Sequence, residues 1–172
     1  MNIIFIGMRG SGKTTISRLL ADRLGYPHRE TDDLIEKKVG MKIADFVKKN
    51  GWEAFRTRES EIIQELSTYN HTVISGGGGV VLRKENVSAL KANGIFVYLT
   101  ASVDTLYERI KEDTNRPFLT DAKTHREDIE KTLHEREKIY QDAADFVIST
   151  EENTIEDTVE KIYTYLISKK IV

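Results

Sequence analysis

Cysteine is absent from this 172-residue chain. That excludes disulfides and thiolate metal sites, and it fits a reducing compartment. Charge excess is missing too: 26 Lys and Arg stand against 28 Asp and Glu, a net of −2. A nucleic-acid binder would carry a basic footprint that this chain lacks. Lys and Glu are interspersed, so most of the charge reads as solvated helix faces. No apolar run nears the ~20 residues of a membrane span. The opening run is a short strand ending in glycine, not a secretory signal. Repeats and low-complexity tracts are lacking, and His28, His71, His125 and His134 have no metal-site spacing and read as surface or loop residues. The expectation is a soluble, cytoplasmic monomer forming one domain over residues 1–172, too short for a separate substrate domain.

What is present is sharper. Residues Gly7 to Thr14 read Gly-Met-Arg-Gly-Ser-Gly-Lys-Thr, directly after the apolar run Ile3 to Ile6. This is the G-x-x-x-x-G-K-[ST] pattern between a strand and a helix, the helix legible from Ile16, Leu19, Leu20 and Leu24. Such a string arises by chance in roughly one chain in a hundred of this length, or fewer. The loop's N–H groups and the helix N-terminus suit a polyphosphate. Gly10, Ser11, Gly12, Lys13, Thr14 and Thr15 form the expected ATP-binding set. Lys13 would reach the β/γ-phosphates and the Thr14 hydroxyl would meet Mg²⁺.

Short apolar runs alternate with helical patterns along the chain, which predicts an α/β fold with a parallel sheet wrapped by helices. Candidate strands are Ile3–Ile6, His28–Glu30, Thr72–Ser75, Ile95–Leu99 and Phe146–Ile148. In such sheets ligands lie beyond the carboxyl ends of strands, which selects the phosphate loop, Glu30 to Asp33, and Gly76 to Gly79. The stretch from Lys111 to Arg126 lacks apolar periodicity and reads as a lid.

Asp32 beside the phosphate loop could orient a substrate hydroxyl or hold metal-bound water; alternatively Asp32 or Asp33 caps the following helix. The run of four glycines suits close approach to the backbone, with a flexible turn as the plainer alternative. Arg56 lies one turn before Glu59, the polar member of the stripe Phe55, Ile62, Ile63 and Leu66, and can pair with it. Arg56 and Arg136 would hold a carboxylate bidentately if they converge; surface salt bridges are the alternative.

The ordered set of Gly7–Thr14, Thr31-Asp32, Gly51 with Phe55-Arg56-x-x-Glu59, Gly77-Gly78-Gly79-Val80-Val81, Arg116-Pro117-Phe118-Leu119 and Arg136 with Tyr140 resembles the shikimate kinase family almost end to end. The resemblance implies a P-loop, nucleoside-monophosphate-kinase-like fold, with a five-stranded parallel sheet flanked by helices and a mobile lid at about 111–126. It implies ATP- and Mg²⁺-dependent phosphorylation of the shikimate 3-hydroxyl. Asp32 would contact the hydroxyls as the candidate base, and Arg56 and Arg136 would hold the carboxylate. Gly77, Gly78 and Gly79 would border the ring, Gly78 donating its N–H, within a substrate region at about 31–60. Arg116 would close over ATP with the lid, and Arg109 would lie against adenine. Glu30 stands where the family usually has Asp, so it would serve the metal through water; Trp52 replaces a common Glu. A related kinase acting on gluconate or a nucleoside monophosphate, and a non-catalytic ATP-binding module, are the competing readings. The arginine pair favours a small hydroxylated acid.

Overall fold

Five parallel strands form one sheet in the order β2-β3-β1-β4-β5: β1 Asn2–Ile6, β2 His28–Glu30, β3 Val73–Ser75, β4 Gly94–Thr100 and β5 Phe146–Ser149. The structure, a computed structural model, describes residues 1–112 and 117–172. Helices α1 (Lys13–Leu24), α2 (Thr31–Val39), α3 (Ile43–Ser67), α4 (Lys84–Lys91), α5 (Val103–Ile110), α6 (His125–Ala143) and α7 (Ile155–Ser168) connect and cover the strands, with a short 3-10 turn at Val80–Leu82. Among the described residues no helix is long and apolar enough to cross a membrane.

The central strand shows why its run is apolar without interruption. Side chains of a strand alternate between faces, and both faces of this one are covered. Ile3 and Phe5 pack with Ile16 and Leu20 of α1 and with Ile162 and Leu166 of α7. Ile4 and Ile6 pack on the other face with Phe55, Ile62 and Ile63 of α3 and with Ile129 and Tyr140 of α6. All four strand side chains are fully buried, each stabilising the fold by about 1.5–3 kcal/mol.

Strand β1 pairs with β3 on one side, Ile4 opposite Ile74, and with β4 on the other, Ile4 opposite Phe96. After β1 the chain enters α1 on one face of the sheet; after the neighbouring β3 it enters the 3-10 turn and α4 on the opposite face. The two connections part company at their carboxyl ends, and a crevice opens between them.

Three differences from the sequence reading have physical causes. His28 lies in β2, half-buried, with Nε2 2.7 Å from the Ser17 Oγ. Burial lowers its pKa although the Glu30 carboxylate pulls the other way; it is a strand residue, as the candidate strand His28–Glu30 implied, and not a loop one. His125 opens α6 and packs edge-on against Phe118. Asp32 and Asp33 sit inside the first turn of α2 and do not cap it; the N-cap position is Glu30 and makes no side-chain capping bond.

Candidate active site

A cavity of about 920 Å³ occupies the crevice, bordered by the phosphate loop, the start of α2, the middle of α3, the glycine run and α6. On its phosphate side, Lys13 at the first position of α1 donates from Nζ to the carbonyls of Gly7 and Met8, at 2.9 and 2.8 Å. Its ammonium is thereby held over the loop mouth. Ser11 is buried and its N–H donates to the Met8 carbonyl, while Thr15 is exposed on the rim.

Thr14 Oγ1 donates to Glu30 Oε2 at 2.9 Å, and the other oxygen of Glu30 accepts from Arg18 at 2.8 Å. A hydroxyl beside a carboxylate at a phosphate loop is an all-oxygen pair, the donor chemistry that Mg²⁺ takes when most of its shell is phosphate and water. These residues fit the expected ion.

The glycine run owes its composition to side chains from other elements. A Cβ on Gly77 would come within 2.7 Å of the Asp32 carboxylate, and one on Gly79 would overlap the Arg56 guanidinium. Between them, the Gly78 carbonyl accepts from Arg136 at 3.1 Å and from the Tyr140 hydroxyl. Asp32, Arg136 and Arg56 thus abut three successive glycines. The Gly77 N–H is committed within the protein, donating to Thr31 Oγ1 at 2.8 Å.

Each arginine is held from behind. Arg56 donates to Glu59 Oε2 at 2.7 Å and lies over the rings of Phe55 and Trp52, 5.0 and 5.5 Å from their centroids. Such faces attract a guanidinium and hold its plane. Glu59 is 1% exposed, and its Oε1 has no hydrogen-bond partner among the described residues. Burial pushes its carboxyl above the ordinary range, against the opposing pull of Arg56. Arg136, on α6 one turn before Tyr140, is itself buried.

Arg109 lies at the other end of the phosphate loop. It donates to the Gly10 carbonyl at 3.2 Å and to the hydroxyl and carbonyl of Thr150, at 2.9 and 3.0 Å. It borders a second hollow of about 240 Å³, lined also by Gly12, Thr15 and Asn153. Arg116 lies outside the described residues.

The structure therefore brings Lys13, Thr14, Glu30, Asp32, Arg56, Arg109 and Arg136 to one cavity wall. The sequence reading gave no part to Arg9 and Asp128. Arg9 borders the cavity and pairs at 2.7 Å with Asp128, which is completely buried in the first turn of α6. Arg9 occupies an unrestricted position of the loop pattern, and Asp128 stands in a charge-rich stretch; only the docking of α6 distinguishes it.

A family model described as shikimate kinase matches residues 9–167. A shikimate kinase of Thermodesulfovibrio yellowstonii is 42% identical over 161 residues, covering 94% of this chain and 92% of its own length. One of Francisella tularensis subsp. holarctica is 40% identical over 171 residues, covering 99% and 97%. The solved structure of shikimate kinase from Acinetobacter baumannii, in complex with shikimate, superposes with a TM-score of 0.92 at 34% identity, covering 99% of this chain and 95% of that one.

Proposed function

The chain belongs to the shikimate kinase family, ATP-dependent phosphotransferases of the shikimate pathway to aromatic amino acids, and on that premise we propose that this cavity transfers the γ-phosphoryl of ATP to the 3-hydroxyl of shikimate. The observation that carries the acceptor is the placement of Asp32, Arg136 and Arg56 against three successive glycines. Two guanidinium groups match one carboxylate, and a carboxylate one glycine away suits a ring hydroxyl. The relative from Acinetobacter baumannii was solved with shikimate bound, which supports the same acceptor here.

Phosphoryl transfer has a loose transition state, so positioning and charge neutralisation do most of the work. Lys13 neutralises γ-phosphoryl oxygens from the loop, and Arg116 is assigned to the same task. Arg56 and Arg136 fix the acceptor by its carboxylate, while Gly78 borders the ring. Asp32 orients the attacking hydroxyl and takes its proton late; a carboxylate is a weak base at neutral pH, so orientation outweighs abstraction. Thr14, and Glu30 through water, would hold Mg²⁺, which would supply positive charge to the triphosphate. Arg109, tied to Gly10 and Thr150, lies against the adenine.

A monomer working in the cytoplasm is part of the same proposal. Pro117 and Leu119 border the cavity, which supports a lid at about 111–126 within a single domain whose substrate region spans about 31–60. Such a lid would exclude water, the competing acceptor.

The test is ADP release with shikimate, gluconate, AMP and CMP offered in parallel. Turnover with shikimate alone is expected; turnover confined to any other acceptor overturns the assignment. In the same assay Asp32→Asn should lower kcat by about 10²–10⁴. A loss under about threefold removes Asp32 from the chemistry.

A further inference from the structure

Asp128 has no role in the mechanism above, yet both of its oxygens are fully engaged by groups beside the cavity. Oδ2 accepts from Arg9 of the phosphate loop at 2.7 Å. Oδ1 accepts from the N–H of Leu119 at 2.9 Å, from the N–H of Thr120 at 2.8 Å and from the Thr120 hydroxyl at 2.8 Å. The carboxylate is completely buried, and it sits in the first turn of α6, where the helix dipole favours negative charge. Charge-assisted bonds of this kind are short and directional, so the two oxygens cannot turn independently.

A buried ion pair can be a staple and nothing more. Here, however, the joined segments are the phosphate loop and the stretch that carries Leu119 to the cavity wall. Displacing one partner rotates the carboxylate away from the other. Misplacement of a phosphate-holding group by about 1 Å is enough to cost ~10²-fold in rate.

We propose that Asp128 is a positioning residue for nucleotide use: it locks Arg9 of the phosphate loop and the Leu119–Thr120 segment into one mutual arrangement, so that triphosphate binding requires both. The inference rests on the nucleotide part of the reading above and not on the acceptor.

The experiment compares Asp128→Asn, Arg9→Met, Thr120→Val and the Arg9→Met/Thr120→Val double variant. Each is followed by calorimetric titration with a non-hydrolysable ATP analogue and Mg²⁺, by KM for ATP and for shikimate, and by thermal melting. Asn keeps the Oδ1 acceptor but turns an amide donor toward Arg9. Asp128→Asn should therefore weaken analogue binding and raise KM for ATP by about tenfold or more, while KM for shikimate stays within about threefold.

Arg9 and Thr120 meet opposite oxygens of one carboxylate. Their losses should not multiply: the double variant should bind the analogue within about twofold of the worse single variant, and Arg9→Lys should recover most of the affinity. Unchanged analogue affinity in Asp128→Asn, equal losses for both substrates, or multiplying losses in the double variant overturn the proposal. If Asp128→Asn does not fold, the Arg9 and Thr120 pair decides by the same criterion. Failure of the acceptor assignment shows separately, as a wild-type chain inert toward shikimate, and leaves the calorimetry intact.

Discussion

At Gly79 a hydrogen atom is the largest substituent the site accepts, because the guanidinium of Arg56 fills the space a side chain would need. Gly79→Ala should push Arg56 off its place between Glu59 and the aromatic rings. We expect steady-state kinetics to give a KM for shikimate raised about tenfold, equivalent to ~1.4 kcal/mol, with KM for ATP unchanged. An unaltered shikimate KM would separate Arg56 from acceptor binding. The glycine run signalled in the sequence that something approaches its backbone closely. It could not signal that the protein's own Asp32 and Arg56 do so, because they arrive from α2 and α3. Glu59 was readable as the polar member of an apolar stripe, and it is buried against Arg56. Asp128 was not readable: apart from Ile129, its neighbours His125, Arg126, Glu127 and Glu130 are polar, and burial is conferred by packing from distant segments.

Among the elements, α3 carries Trp52, Phe55, Arg56 and Glu59 to the cavity, and it is broken at Gly51, where φ is +83° and ψ 167°. This backbone region is essentially restricted to glycine, and other residues held there lose about 1–3 kcal/mol. Nothing lies within 4 Å of a Cβ built at this position, so the strain is purely conformational. Gly51→Ala should lower the unfolding free energy by that amount, read from the urea midpoint; an equal or higher midpoint would show that the kink tolerates a side chain. The break also explains what the sequence concealed. The apolar stripe was clear after Phe55, but Ile43 to Asn50 belongs to a differently oriented helical segment, and no periodicity runs through Gly51. Helix α4 was hidden for another reason: only Asn86 and Leu90 are buried in its eight residues, too few to mark a face. Strands β1, β3 and β4 were the easy part, since burial on both sides writes a continuous apolar run, whereas β2 reads His-Arg-Glu and is only partly buried.

The molecule as a whole gathers three strand ends into one crevice, and the alternation of apolar runs with helical stripes predicted that arrangement. Trp52 is the only tryptophan and borders the cavity, edge-on to Phe55 at 5.7 Å. Its emission should change saturably on titration with shikimate, because the acceptor would alter the field of Arg56 above the indole. A flat titration of an enzyme that turns shikimate over would place the acceptor away from α3. Most members of this crevice, Arg9 excepted, were legible in order along the chain, but distances within it follow from the sheet.

The order of the strands also bears on how the chain comes into being. The strand that carries the phosphate loop is synthesised before both of its partners, Val73–Ser75 and Gly94–Thr100. No hairpin can hold it meanwhile, since every pairing in the sheet is parallel and spans a long connection. Pairings so distant along the chain are slow to form. The strand that bears the phosphate loop therefore waits with open edges, first for Val73–Ser75 and then for Gly94–Thr100, and only their arrival completes the nucleotide's cradle.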